Sequence, residues 1–352
     1  QFGLILLLQL SIVGLEITMT IIPSVSAQID EKEIFKIISN NFSKLAPYYY
    51  VMISNWLIRA YGVQNDIDKY LILLYLINKD LIIFRRNGLI VSYDTFYKDR
   101  SLEIDKINIS DISKDLQIPK ESVRRKIIEL EKKNIIKKNG KKIFIDRSAL
   151  SISNGKDTIK DISALLFEFN KILKNEKLGE KIFNVDQISH SIKENFSFCW
   201  YQFYKFIFVY TNRWRKEVKD LETMCIGILV MLNASENKSF KVKDLNLKTY
   251  QKKVMGSDER GMNAMSLSDI TGIPRPTVVR KLKYLIKNNY ITINEKKLLF
   301  INIQGANLKR STDLQDANML TLSNFIYKVF NQIKIIDSTK DKDSDFIPSY
   351  LR

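Results

Sequence analysis

Basic side chains that recur at a fixed spacing are the residues best suited to chemistry in this 352-residue sequence. Arg125 and Lys126 are followed 155 positions later by Arg280 and Lys281. Guanidinium and ammonium groups bind phosphate, and an arginine can also hydrogen-bond the edge of a base. The composition agrees, because 56 Lys and Arg residues outnumber 39 Asp and Glu residues and leave a net charge of +17. The expected partner is therefore a polyanion, either a nucleic acid or an anionic membrane surface.

Other kinds of chemistry have few candidate residues. Cys199, Cys225 and His190 are too few for a disulfide framework or an ordinary zinc site, which is typical of a protein from a reducing cytoplasm. The 12 glycines form no Walker-type or Rossmann-type run. No constellation of acid, base and nucleophile is visible in the sequence. We therefore predict a cytoplasmic protein that is not an enzyme and needs no cofactor or metal.

The basic positions belong to an internal repeat. Residues 112–142 align without a gap to residues 267–297, with identical residues at 13 of the 31 positions. Two further pairs of apolar segments resemble each other, 73–78 with 228–233 and 162–174 with 322–334. A repeat of this length constrains the architecture more strongly than local propensities do.

The repeat sets the expected domain boundaries. It predicts an apolar N-terminal extension at 1–30, a first module at 31–180, a second module at 181–335 and a disordered tail at 336–352. The extension could be a non-native addition with Met19 as the true start, or a signal peptide. No Lys or Arg precedes its apolar run, which argues against a signal peptide and against membrane targeting.

Two other segments carry structural expectations. Residues 81–91 read LIIFRRNGLIV and predict a small β-ribbon that turns at Asn87 and Gly88. Residues 196–210 are dense in aromatic side chains, and we expect a helix buried between the two modules rather than a ligand pocket or a stacking surface.

The first copy of the repeated motif has the pattern of two helices joined by a turn. Ile112 and Leu116 lie on one face of a short helix, and Pro119 disfavours helical geometry before it and suits the start of the next helix. The second helix is expected at about 120–133. Its inner face carries Val123, Ile127 and Leu130, and its outer face carries Glu121, Arg125 and Lys132.

A β-hairpin is expected directly after the second helix in each copy. In the first copy, Asn139 and Gly140 favour a tight turn between two short strands. The second copy keeps the pattern, and the inner face of its second helix carries Val278, Leu282 and Leu285.

The turn between the two helices differs between the copies. Gly272 suits a residue with positive φ in this turn, whereas Gln117 at the matching position of the first copy lacks that conformational freedom.

At these residues the sequence resembles the winged helix-turn-helix regulators. Residues 271–285 are similar to the DNA-reading motif of the IclR type, and the flanking helices are similar to those with which the MarR family builds a dimer. The resemblance of the motif covers about 35 residues in each copy. It implies a mainly α fold with small β wings, arranged as a tandem duplication of a winged helix-turn-helix module. It also implies that the second helix of each motif enters the major groove of DNA.

The residues expected to contact DNA lie on the outer helices and the wings of both copies. The outer helix is the second helix of each motif. The residues are Lys120, Glu121, Ser122, Arg124 and Arg125 on the outer helix of the first copy, Arg275, Pro276, Thr277, Val279 and Arg280 on the outer helix of the second copy, and Lys137, Lys138, Lys141, Lys142, Lys296 and Lys297 on the wings.

The leading functional hypothesis is a sequence-specific regulator of transcription that binds double-stranded DNA through both motifs of one chain. Such a monomer would act as a pseudo-dimer, although a homodimer and an unidentified small-molecule effector are left open. A plasmid-type or phage-type replication initiator with two winged domains is one alternative, and a protein-docking scaffold is another. Because the outer helices begin KESVRRK and RPTVVRK, we expect an asymmetric DNA site, with half-sites about 10 base pairs apart.

Overall fold

The computed structural model describes residues 29–340 except for short segments at 99–100, 105, 140–141, 147–154, 180, 237–243, 256–260 and 304–305. The expected N-terminal extension therefore lies almost wholly outside the described residues, as does the end of the chain from 341. The described part is mainly helical and contains two small antiparallel sheets. The mainly α fold class predicted from the sequence is confirmed.

In the first half of the described chain, long helices flank two shorter helices that are joined by a turn. The elements are α1 (Glu31–Asn40), α2 (Phe42–Gln64), α3 (Ile67–Arg86), α4 (Tyr93–Lys98), β1 (Ser101–Ile104), α5 (Ile109–Leu116), α6 (Lys120–Lys132), β2 (Ile136–Asn139), β3 (Lys142–Asp146) and α7 (Lys156–Asn175). The helix predicted at about 120–133 is α6.

The second half has nearly the same order of elements. They are α8 (Val185–Glu194), α9 (Phe196–Val218), α10 (Leu221–Ser235), α11 (Leu247–Met255), α12 (Ala264–Thr271), α13 (Arg275–Lys287), β4 (Ile291–Ile293), β5 (Leu299–Ile301) and α14 (Ala306–Lys340). Each element from α8 to β4 begins 154 or 155 residues after its counterpart in the first half, as α8 at 185 does after α1 at 31. The expected boundary near 180 falls between α7 and α8.

The same types of capping residue start equivalent helices in the two halves. The side chain of Asp66 accepts a hydrogen bond from the backbone N–H of Lys69 at the start of α3, over 3.0 Å. Asp220 accepts one from Thr223 at the start of α10, over 2.7 Å. Asparagines play this part for α5 and α12. Each cap satisfies a backbone donor that has no partner within its helix.

In each half, the two helices joined by a turn are followed by an antiparallel hairpin. In the first hairpin β2 pairs with β3, and β1 pairs with the other edge of β3. Asn139 is paired with Lys142, so the connection consists of residues 140–141, which lie outside the described residues. The expectation that Asn139 would form the centre of the turn is therefore wrong by one position. In the second hairpin Ile291 pairs with Ile301, and Met262 forms one further bridge to Leu299.

The long helices of the two halves pack across each other. Helix α2 lies against α7 of its own half and α10 of the other half, and α9 lies against α14 and α3 in the same manner. The buried apolar residues of both halves form one continuous cluster. Rings of α9 contact the last helix, as when Phe206 stacks on Phe325 with centroids 5.5 Å apart. The prediction that residues 196–210 form a buried helix is confirmed.

One local prediction is wrong, and another is tested only at its edge. Residues 81–86 continue helix α3 and do not form a β-ribbon, because Leu81 is fully buried on the inner face of that helix. Asn87 ends the helix, and Gly88 follows with a φ of 66°. At the other end of the chain, α14 extends to Lys340, so it includes the first five residues of the expected tail, and the rest of that tail lies outside the described residues.

Candidate nucleic-acid interface

The turn between the two helices of each motif is built in the same way. The hydroxyl of Ser113 donates to the carbonyl of Ile118 over 2.7 Å, and Ser268 donates to Ile273 over 2.8 Å. Both isoleucines are buried. The bond and the buried side chain fix where α6 and α13 begin relative to the helices before them.

The residue before each of those isoleucines adopts a left-handed backbone conformation. Gly272 has φ 69° and ψ 3°, and Gln117 has φ 54° and ψ 37°. A side chain in this region crowds the backbone at a cost of roughly 1–2 kcal/mol. Gln117 therefore forms the same turn as Gly272, with a strain that glycine avoids.

The inner faces of α6 and α13 pack as predicted. Val123, Ile127 and Leu130 are buried on α6, and Val278, Leu282 and Leu285 are buried on α13. Helix α6 lies against α5 and α3, and α13 lies against α12 and α10. Each helix therefore exposes a single face to solvent.

A lysine of each outer helix is buried and paired, which the sequence pattern did not reveal. Lys126 forms an ion pair with Asp66, and Lys281 forms one with Asp220 over 2.6 Å. These aspartates are the residues that cap α3 and α10. Burial raises the pKa of Asp220, but hydrogen bonds from Lys281 and Thr223 outweigh it and hold that pKa below its ordinary value. The identity of Lys126 and Lys281 in the repeat is thus explained by a structural contact between helices.

The outer face of α6 combines basic and acidic side chains. Lys120, Glu121, Arg124 and Arg125 are exposed, and Ser122 is half-buried. Arg124 lies 3.6 Å from Glu121, and Arg125 lies 3.9 Å from Glu129, along the same helix. These exposed pairs are weak and are broken at little cost when a stronger anion approaches.

The outer face of α13 has no acidic residue of its own. Arg275, Pro276, Val279 and Arg280 are exposed, and Thr277 is half-buried. Within the part of the chain that the structure describes, no carboxylate lies within 4.0 Å of the guanidinium of Arg275 or Arg280. The α13 face is therefore the more strongly positive of the two.

Lysines are exposed on both hairpins. Lys138 pairs with Glu131 over 2.6 Å, and Lys142 pairs with Glu103 over 2.8 Å. Lys137, Lys296 and Lys297 are also exposed, whereas Lys141 lies outside the described residues. The hairpins thus place ammonium groups beside the helices whose outer faces are basic.

A helix of the second half also supports the first motif. The side-chain amide of Asn212 on α9 donates to the carbonyl of Asp115 at the end of α5, over 2.6 Å. The hydroxyl of Tyr75 on α3 donates to the carboxylate of the same residue, over 2.6 Å. The two motifs are therefore attached to one shared core.

The described residues offer little support for a metal site, a membrane span or a reactive cysteine. No group of His, Cys, Asp or Glu side chains there is arranged to hold a metal, and no helix there has both the length and the apolar character needed to cross a bilayer. Cys199 and Cys225 are buried, and burial raises the pKa of each thiol to about 12. His190 is exposed at the surface of α8.

In comparisons with known proteins, no family model matches the chain, and no curated protein sequence or solved structure is significantly similar to it. Its function is therefore inferred from its own residues and geometry.

Proposed function

We propose that this protein is a cytoplasmic regulator of transcription, not an enzyme, that binds double-stranded DNA through two winged helix-turn-helix units related by duplication. The observation that carries the proposal is the division of roles on α6 and α13. On each helix an arginine, Arg125 or Arg280, points to solvent, while the lysine that follows it is buried and fixes the helix to the core.

The shape of the exposed surface supports DNA as the polyanion. Each outer helix has 13 residues and is therefore about 20 Å long, and it exposes one basic face. The major groove of DNA is wide enough to admit such a helix. Hairpin lysines beside the helix would reach the phosphates that flank the groove. An interface for another protein would be poorer in lysine at its centre.

The two outer helices would make unequal contributions. Each contains five Lys and Arg residues, but α6 also contains Glu121, Glu129 and Glu131, whereas α13 contains no acidic residue. A carboxylate on the DNA-facing side repels phosphate and can accept a hydrogen bond from cytosine. We therefore expect α13 to supply most of the non-specific attraction and α6 to discriminate more strongly among bases.

The common core explains how one chain could act as a pseudo-dimer. Helices α2 and α9 each pack on helices of the opposite half, so the two units share one hydrophobic core. A homodimer reads two equal half-sites, whereas a fused pair with different outer helices is free to read two unequal ones. The proposal therefore includes an asymmetric DNA site bound by a single chain.

A direct test compares three anionic partners by fluorescence anisotropy and sedimentation. They are a mixed-sequence DNA duplex about three helical turns long, the corresponding single strand, and vesicles of phosphatidylserine. We expect the duplex to bind most tightly, with a steep salt dependence that Arg280→Ala makes shallower by about 0.9 in the log–log slope. Lys36→Ala, an exposed substitution on α1, is the matched control and should leave the slope unchanged. Preference for the vesicles, or equal slopes for all three proteins, would contradict the proposal.

A further inference from the structure

A cavity lies beneath α13, among the base of the second hairpin, α10 and the start of α14. Its volume is about 120 Å³, and the described residues that line it are uncharged. Leu285 of α13, Ile291 of β4 and Ile301 of β5 form one wall. Leu308 at the start of α14 also lines the cavity and is 37% exposed, so the cavity reaches solvent there.

A glycine of α10 opens this cavity, and the equivalent position of the first half is filled. Gly227 lies in the interior of α10 and lines the cavity. A methyl group added to its Cα would have Cδ1 of Leu285 as its nearest neighbour, at 3.9 Å. When the caps Asp66 and Asp220 are aligned, Gly227 corresponds to Leu73, which is fully buried. Glycine weakens a helix relative to alanine, so its presence inside α10 calls for a packing or functional reason.

The walls of the cavity are mostly apolar, and α14 contributes a strip of polar side chains to them. Ser311, Thr312 and Gln315 line it from one face of α14, and both Ser311 and Gln315 are only 8% exposed. The hydroxyl of Ser311 has no hydrogen-bond partner among the described residues. The amide of Gln315 has only a long bond of 3.4 Å, to the hydroxyl of Tyr50. Buried polar groups in this state favour a ligand that supplies the missing partner.

We infer that the cavity binds a small, uncharged, largely apolar molecule that carries one hydrogen-bonding group, such as a single aromatic ring with a carbonyl. A closed apolar cavity of about 150 Å³ is known to hold benzene. This cavity is of similar size and opens to solvent beside Leu308, so it has room for one ring and a short substituent. A charged ligand would lose its hydration without gaining an opposite charge.

The site also has a route to DNA binding, and this part of the inference rests on the proposed function. Leu285 belongs to the inner face of α13, and Ile291 and Ile301 are paired with each other on the two strands at the base of the hairpin. A molecule lodged against these three side chains contacts the helix and the hairpin that would meet DNA. Occupancy of the cavity therefore changes the affinity for DNA through the second unit.

Ligand binding is tested first without DNA, by calorimetry of the full chain with acetophenone. Ethylbenzene is the matched probe that lacks the carbonyl oxygen. We expect acetophenone to bind roughly tenfold more tightly than ethylbenzene, as one hydrogen bond to a buried group provides. Ser311→Ala should remove that difference and leave ethylbenzene binding unchanged. Failure of the protein to bind either probe, or an unchanged preference in Ser311→Ala, would overturn the site.

Filling the cavity is the second arm of the experiment. Gly227→Leu installs the side chain of the first half and should abolish binding of both probes, whereas Gly227→Ala adds a single methyl group and should still bind ethylbenzene. With saturating acetophenone, the affinity of the wild type for duplex DNA should change at least about fivefold, and that of Gly227→Leu should not change. Unaltered DNA affinity with a bound probe would refute the regulatory coupling alone. If the wild type binds the probes in calorimetry but does not bind DNA at all, the proposed function is refuted and the ligand site is retained.

Discussion

Two adjacent residues of α6 should differ in what their replacement changes. Replacing Lys126 should lower the stability of the fold, and replacing Arg125 should weaken the binding of DNA. Lys126→Met removes the ammonium group that pairs with Asp66, while Arg125→Met removes the exposed neighbour. The side chains of Lys126 and Asp66 are 11% and 21% exposed, so the carboxylate would be left with little solvent to replace its partner. A charged hydrogen bond of this kind contributes about 1.5–3 kcal/mol. Arg125 has a side chain that is 72% exposed, and its loss should change the free energy of unfolding by less than about 0.5 kcal/mol.

Urea unfolding followed by circular dichroism measures the two free energies. Asp66→Asn is the informative partner variant, because asparagine still caps α3 but carries no charge. In the Asp66→Asn protein, Lys126→Met should lower the free energy of unfolding by about 1–2 kcal/mol less than it does in the wild type. Salt titrations of DNA binding should give the reverse pattern, with a shallower slope for Arg125→Met and an unchanged slope for Lys126→Met. Equal destabilisation by the two variants would refute the assignment of Lys126 as the structural contact.

Three further predictions concern the hairpin, the turn and the half-buried carboxylate of Asp220. Replacing Lys137 and Lys138 together with alanine should reduce the salt slope of DNA binding by up to about 1.8, equally for all sequences; a loss confined to one sequence would mean that the hairpin reads bases. Gln117→Gly should raise the free energy of unfolding by roughly 0.5–1 kcal/mol in urea unfolding, because the left-handed turn no longer crowds a side chain; a loss would show that the turn is unstrained. The pKa of Asp220 is lowered in the folded protein, so its pairing stabilises the fold above the ordinary value of 3.8 and is lost as the pH falls through the lowered pKa. The cost of Lys281→Met should therefore shrink in acid, and a cost independent of pH would contradict that pairing.

The helices of both motifs were predictable because their apolar spacing and turn residues agree with the packing. Val123, Ile127 and Leu130 fall on one face in the sequence and are buried together in the structure. Pro119 stands at the cap of α6, as its restricted backbone suggests. Local pattern and tertiary contact indicate the same structure at these positions.

Features that depend on distant segments were not predictable. Lys126 has the sequence pattern of a solvated residue, and only the position of Asp66, 60 residues earlier, shows that it is paired. The segment 81–86 has a strand-like composition, but packing of Leu81 keeps it in α3. The crossing of α2 and α9 between the halves and the cavity beside Gly227 depend on contacts that no local spacing encodes.

The central claim is that both outer helices of one chain read a single DNA site. Selection from random double-stranded DNA, followed by light scattering of the complex with the selected duplex, tests this most directly. We predict one asymmetric sequence bound by one chain. Arg125→Ala and Arg280→Ala should each weaken binding to this sequence by about 1–3 kcal/mol, and each should relax the base preference in a different half of it. Enrichment of a palindrome occupied by two chains, or of no sequence at all, would contradict the account.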